Sequence, residues 1–244
     1  MNTEIYIQAR MNSIRLPGKA LKEIAGKSLL EILIERLRHV TKASTACVLT
    51  TVNAIDEPII ALCQKLQIPF FRGSQEDVLG RYYACALERK SDRIVRITAD
   101  CPLMDPAIVD EVITAFSQGV DYVSNTITRT FPRGMDVEIF SVAALKKAHV
   151  QAKSDSEREH VTLYMYRHPE QFRLRNVSSK KNLSFLRLTV DTQEDFDTVK
   201  NIFENIYPQN SSFTLQDIVE GVAKHPDWIV NKNIQQKQVA DGTT

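Results

Sequence analysis

Ile5-Tyr6-Ile7-Gln8-Ala9-Arg10-Met11-Asn12-Ser13-Ile14-Arg15-Leu16-Pro17-Gly18-Lys19 carries a short apolar run into a loop holding three cations and a hydroxyl. The apolar run predicts a first β-strand. In open α/β sheets ligands bind beyond the carboxyl ends of the strands. If the rest of the chain alternates strands with helices, this loop stands where such a fold receives an anion.

The next hundred residues keep that alternation. Ser28-Leu29-Leu30-Glu31 matches a capping box and opens a helix to about Val40. Cys47 to Thr51 reads as a second strand, and Asp56 is expected to cap a helix ending near Leu66. Ile68 to Phe71 is a short third strand, followed by a helix from about Glu76 to Glu88. Ile94 to Ile97 is a buried strand, and Asp105-Pro106 starts another helix. The rhythm predicts an α/β fold with a mostly parallel central sheet and helices on both faces.

Beyond Asp121 the pattern changes. Strand-like pieces around Phe131-Pro132-Arg133-Gly134 suggest a small β-containing insertion. Helices are expected near 142–151 and 156–167, strands near 172–177 and 186–190, and helices near 192–206 and 214–223. One domain over residues 1–228, with a polar tail over 229–244, accounts for the whole.

Composition narrows the function. A formal net charge of +1 excludes a general positive field for nucleic acid. The four cysteines form no C-x-x-C pair, so reduced, buried thiols are expected. No signal-peptide pattern and no apolar run of membrane length is present. A soluble, cytoplasmic protein with no membrane partner is the expectation.

Three stretches carry chemistry. In the first, Arg10, Arg15 and Lys19 can neutralise a polyphosphate through charge-assisted hydrogen bonds, with Ser13 among them. In the second, Thr98-Ala99-Asp100-Cys101-Pro102-Leu103 places Asp100 just past a buried strand. A carboxylate there suits Mg²⁺, which prefers oxygen ligands and shared phosphates. In the third, Leu188-Thr189-Val190-Asp191-Thr192 ends an apolar run in Asp191, immediately before a helix. Gly26-Lys27-Ser28 ends like a P-loop but has Leu21 where that motif needs glycine.

The chain resembles the cytidylyltransferase family typified by spore coat polysaccharide biosynthesis protein F, related to CMP-sialic acid and CMP-Kdo synthetases. The likeness runs over roughly residues 4 to 225. It includes the Gln8–Lys19 loop, Phe71-Arg72-Gly73-Ser74 with Glu76-Asp77-Val78-Leu79, and Arg96 to Leu103. Asp121 to Asn125, Gly134 to Glu138, Glu157 to Thr162 and Thr189-Val190-Asp191 complete it. The resemblance implies a nucleotide-diphospho-sugar transferase (GT-A-like) fold and transfer of CMP from CTP to a sugar or sugar acid, releasing pyrophosphate.

It further implies that Arg10, Ser13, Arg15 and Lys19 grip the triphosphate and that Asp100 and Asp191 hold Mg²⁺. Arg72, Asp77 and Arg81 would lie on the nucleotide side, Asp77 being equally suited to capping a helix. Asn125, Asp136, Glu138 and His160 would face the sugar. The sugar's proton would go to a hydroxide on the metal or to a carboxylate such as Glu138. A homodimer is implied too, with the segment from Phe131 to Phe140 reaching across. The chain departs from the pattern at Asn12, where relatives usually have Gly, at Ile14, where they have Thr, and at Gly80, where Asp is commoner. Two other readings compete: a glycosyltransferase of similar architecture, whose only Asp-x-Asp would be Asp195-Phe196-Asp197, and an inactive nucleotide-binding homologue.

Overall fold

In the structure, a computed structural model, residues 1–234 are described. Strand β1 (Thr3–Gln8) alternates as a doubly covered strand should: Ile5 and Ile7 enter one core, Tyr6 the other. A tight hairpin follows, β2 (Glu23–Ile24) against β3 (Lys27–Ser28). Ala25 (φ 51°) and Gly26 (φ 77°) form its turn, as a two-residue primed turn requires. Gly26-Lys27-Ser28 is therefore half a hairpin and cradles no phosphate.

The α/β alternation then runs α1 (Leu29–Leu37), β4 (Thr45–Thr51), α2 (Glu57–Lys65), β5 (Phe70–Gly73), α3 (Val78–Arg89), β6 (Arg93–Thr98) and α4 (Pro106–Ala115). Ser28 starts α1 by accepting from the Glu31 N–H at 3.1 Å. After α4 come β7 (Tyr122–Ser124), β8 (Glu138–Ser141), α5 (Val142–Gln151), α6 (Asp155–Glu159), α7 (Leu163–Arg167) and β9 (Leu174–Asn176). Helices α8 (Gln193–Ile206) and α9 (Leu215–Lys224) follow, with a 3₁₀ turn over Pro226–Trp228 after them.

The sheet order is β5-β4-β1-β6-β8-β7-β9. β1 pairs in parallel with β4 and β6, β4 with β5, and β7 with β9, while β8 runs antiparallel to β6 and β7. The expected mostly parallel sheet is thus present, and the pieces between Asp121 and Phe140 join it as β7 and β8. Residues of α1, α2, α4, α8 and α9 share one core; α3, α5 and α7 share the other. The chain leaves β1 for β4 on one side and returns to β6 on the other. The strand order reverses there, and the crevice beyond Gln8 and Thr98 is the ligand position of such sheets.

Several expectations need correction. The helix expected over 156–167 is broken between α6 and α7 by Val161, which is buried with φ 52°. The run 186–190 forms no strand among the described residues and makes an isolated bridge, Arg133 to Arg187. Leu188 N–H donates to Arg133 O at 2.7 Å and Val190 N–H to Asp100 O at 2.8 Å, which fixes its path. Gly134 (φ 97°) makes that approach feasible, since a Cβ there would stand 2.5 Å from the Leu188 carbonyl carbon. Phe131, Met135, Val137 and Phe140 pack into the core of their own chain.

The first residues of the expected polar tail are tied down. Val230 N–H donates to Thr198 Oγ1, and Asn231 is buried. The rest of that tail, 235–244, lies outside the described residues. All four cysteines are free and buried. Among the described residues no helix is long and apolar enough to cross a membrane.

Candidate active site

The loop after β1 is folded on Met11. Its carbonyl accepts from Ser13 N–H and Gly18 N–H, both at 2.9 Å, and its N–H donates to Asp56 Oδ1 at 2.7 Å. Asp56 also accepts from Thr51 N–H and from the Thr51 hydroxyl. The expected capping role of Asp56 is not seen, because its side chain makes no cap bond to α2. It pins the cationic loop to the end of β4 instead. Asn12 is not left-handed; the residue of the loop that needs positive φ is Gly18 (φ 69°), just before a 3₁₀ turn over Lys19–Leu21.

Across from the loop stand the aspartates after β6 and after the 186–190 run. Arg10, Ser13, Ile14, Arg15, Lys19, Asp100, Asp191 and His160 line one cleft of about 440 Å³. Lys19 Nζ donates to Asp100 Oδ2 at 2.7 Å, Asp191 Oδ1 at 2.8 Å and Val190 O at 2.7 Å. Arg15 and Arg187 both approach Asp191 Oδ2 at 3.0 Å. Burial opposes charge on Lys19, but the two carboxylates outweigh it and hold the ammonium above its ordinary value. Burial likewise pushes Asp100 up, and the Lys19 charge and hydrogen bond bring it below the usual carboxylate range. At the mouth, Arg10 and Glu159 face each other at 3.7 Å.

The oxygen-only set of Asp100 and Asp191 fits a hard cation. Among the described residues no group of three or more His, Cys, Asp or Glu could hold a metal. Two carboxylates beside a polyanion site suit Mg²⁺, which keeps several waters and binds through a carboxylate or two plus substrate phosphates.

A second lobe of about 480 Å³ adjoins the first through Thr98 and His160. Asp136 and Glu138 line it with Arg96, Arg129, Arg133, Tyr122 and Thr162. Glu138 is buried, and both its oxygens are engaged. Tyr122 OH donates to it at 2.5 Å, Thr162 Oγ1 at 2.6 Å, and Arg96 pairs with its other oxygen. With both oxygens already accepting from three donors, the geometry argues against Glu138 as the general base. Arg129 holds Asp136 in a fork at 2.5 and 3.1 Å. Burial, with Arg96 nearby, lowers the His160 pKa against the pull of Glu159.

Asn125 does not face the lobe. Its side chain is fully buried, donating to Met135 O at 2.7 Å and accepting from Val137 N–H at 2.9 Å. It closes the loop between β7 and β8. The nucleotide-side set also disperses. Arg72 spends its guanidinium on Thr51 O (3.1 Å), Val52 O (3.0 Å) and Glu57 (2.7 Å). Asp77 caps α3, accepting from Gly80 N–H at 2.8 Å, and pairs with Arg158. A Cβ at Gly80 would stand 2.2 Å from Asp77 Oδ2, so that departure matches the way Asp77 folds over it. Arg81 is buried with Nε and Nη1 lacking any acceptor, and burial lowers its pKa. Unpaired buried donors such as these call for an acceptor that the described residues do not supply.

Three contributors escaped sequence reasoning. Arg187 clamps Asp191 from below while bonded to buried Asp195 at 2.8 and 3.0 Å; a charge inside the apolar run Leu186–Val190 was the available signal. Arg96, a cation inside a buried strand, gave the same signal. Asp56 gave none beyond its capping position. The Asp195-Phe196-Asp197 pair lies in α8 with Asp195 buried under Arg187 and Asn231, so it offers no metal site.

Comparison with known proteins gives a consistent set of relatives. The family model described as cytidylyltransferase matches residues 5–233. An uncharacterized protein of Methanocaldococcus jannaschii is 35% identical over 235 residues, covering 95% of each chain. Spore coat polysaccharide biosynthesis protein SpsF of Bacillus subtilis is 32% identical over 236 residues, 93% of this chain and 97% of that protein. A solved cytidylyltransferase from Leptospira borgpetersenii superposes with a TM-score of 0.92 at 36% identity, covering 97% of this chain and all of the other.

Proposed function

The chain belongs to the cytidylyltransferase family, and from that premise we propose that it transfers CMP from CTP to a sugar or sugar acid, releasing pyrophosphate, in surface polysaccharide or glycoconjugate synthesis. The observation that carries the reading is one cleft in which Arg10, Ser13, Arg15 and Lys19 face Asp100 and Asp191, joined to a second polar lobe. The similarity to the Bacillus subtilis protein supports the polysaccharide setting. The cytoplasm, where nucleoside triphosphates are available, is the compartment this reading requires.

In this reading the sugar hydroxyl attacks the α-phosphorus of CTP, a new P–O bond forms, the bond to the β-phosphate oxygen breaks, and the hydroxyl proton passes to solvent water. Arg10, Arg15 and Lys19 bind the β- and γ-phosphates and stabilise charge on the departing pyrophosphate. Ser13 adds a hydroxyl donor. Asp100 and Asp191 would hold Mg²⁺, which supplies charge neutralisation at the phosphates. Arg81 offers its unpaired donors to the nucleotide from the α3 side. Asp136 and His160 bind and orient the acceptor, whose hydroxyl must lie in line with the leaving oxygen. Glu138 keeps Arg96, Tyr122 and Thr162 in place as the floor of that lobe.

Purified protein, Mg²⁺, four nucleoside triphosphates and a panel of sugars and sugar acids provide the test. The expected result is pyrophosphate release that requires CTP and one acceptor. Release with a finished nucleotide sugar and no triphosphate would favour glycosyl transfer instead.

A further inference from the structure

All three N–H bonds of the Lys19 ammonium end on the oxygens a metal would use: Asp100 Oδ2, Asp191 Oδ1 and Val190 O. The other two carboxylate oxygens are taken as well. Asp100 Oδ1 accepts from Thr98 Oγ1 at 2.6 Å, and Asp191 Oδ2 meets Arg15 and Arg187. A divalent cation cannot bridge these aspartates unless a resident cation leaves. Arg187 is buried and doubly bonded to Asp195, so it stays. Among the described residues, Arg15 pairs with Asp191 and Lys19 is the cation that spans both aspartates.

Lys19 can also move. Its ammonium ends a flexible four-carbon stem, rooted just after Gly18, and its side chain lines the cleft shared with Arg10 and Ser13. We propose that Lys19 closes the two-aspartate site of the empty enzyme, and that a divalent metal enters only when a triphosphate draws the lysine head group away. The idea rests on the triphosphate reading of the cleft. Without nucleotide, expelling Lys19 would strand a half-buried ammonium and set the metal among three cations, a costly exchange. With nucleotide, the ammonium trades carboxylates for phosphate oxygens, and the metal gains phosphate ligands.

Mn²⁺ binding without nucleotide, read from the electron paramagnetic resonance signal of free metal, separates the outcomes for wild type, Lys19→Gln and Lys19→Gln/Asp191→Asn. Wild type should bind weakly. Lys19→Gln should bind one Mn²⁺ per chain at least about tenfold more tightly, and the double variant should lose that gain. Equal binding by wild type and Lys19→Gln, or a gain that survives Asp191→Asn, overturns the proposal. If Lys19→Gln does not fold, wild type decides: tight Mn²⁺ binding without nucleotide overturns it, and retention only after CTP is added supports it. Because the variant comparison contains no CTP, it stands even if another triphosphate proves to be the substrate.

Discussion

The two lobes of the cleft handle charge in opposite ways. In the phosphate lobe, Arg15, Lys19 and Arg187 crowd two half-buried aspartates, and the pairs can be rearranged by an incoming polyanion. In the acceptor lobe each carboxylate is already matched: Glu138 to Arg96, Tyr122 and Thr162, and Asp136 to Arg129. Under the proposed function, the first lobe would exchange partners during a reaction that expels charge, and the second would keep its shape while a sugar or sugar acid is recognised. A buried, fully bonded carboxylate contributes geometry, whereas a carboxylate bridged by a lysine contributes a site.

The sharpest way to break that contrast is Asp100→Asn. It should lower kcat on the order of 10³-fold while the fold survives, since metal and lysine both lose a ligand. Circular dichroism with a pyrophosphate assay checks both halves, and full activity would remove Asp100 from the metal site. Next comes Glu138→Gln, which leaves the half-buried Arg96 without its countercharge. A loss of about 3 kcal/mol in denaturant unfolding is expected, with the acceptor KM raised and the CTP KM unmoved. A variant that kept its stability but lost kcat would instead return Glu138 to a role in proton transfer.

Smaller effects sharpen the phosphate side. Arg15→Ala should raise the CTP KM by about tenfold and reduce kcat, and a change confined to the acceptor KM would contradict the assignment. Asp195, beneath Asp191, supplies a pH test. Burial alone would raise its carboxyl, but bonds from Arg187 and Asn231 hold it below the usual range. Its contribution is then present above the unfolded value near about 3.9 and is lost as pH falls through the lower folded value. Asp195→Asn should therefore flatten the decline of stability below about pH 4, seen in thermal unfolding across pH. The smallest effect expected is at Ile14, which is 95% exposed. Ile14→Thr should shift the CTP KM by no more than about twofold.

The asymmetry between lobes also explains what could be read in advance. Arg10, Ser13, Arg15 and Lys19 sit within 11 residues after a strand, and Asp100 and Asp191 each follow an apolar run, so strand-end logic finds them. The sheet was legible for the same reason, through the alternation around Ile5–Ile7 and Ile94–Ile97. The acceptor lobe draws on separate segments around Arg96, Tyr122, Arg129 to Glu138 and His160 to Thr162, and no local period joins them. Asn125 looks like a ligand residue in sequence but is consumed by Met135 O and Val137 N–H. Arg72 and Asp77 are similarly spent on backbone. Burial and pairing decide these roles, and both are tertiary facts. The break of the 156–167 helix at Val161 is tertiary too, since no proline or glycine announces it.

The most direct test of CMP transfer is the fate of label from CTP carrying ³²P at the α- or the γ-position, incubated with Mg²⁺ and the acceptor found by the pyrophosphate assay. The account predicts α-label on the sugar product and γ-label only in pyrophosphate. Label from the γ-position on the acceptor, or α-label recovered only as free CMP or CDP, would contradict it.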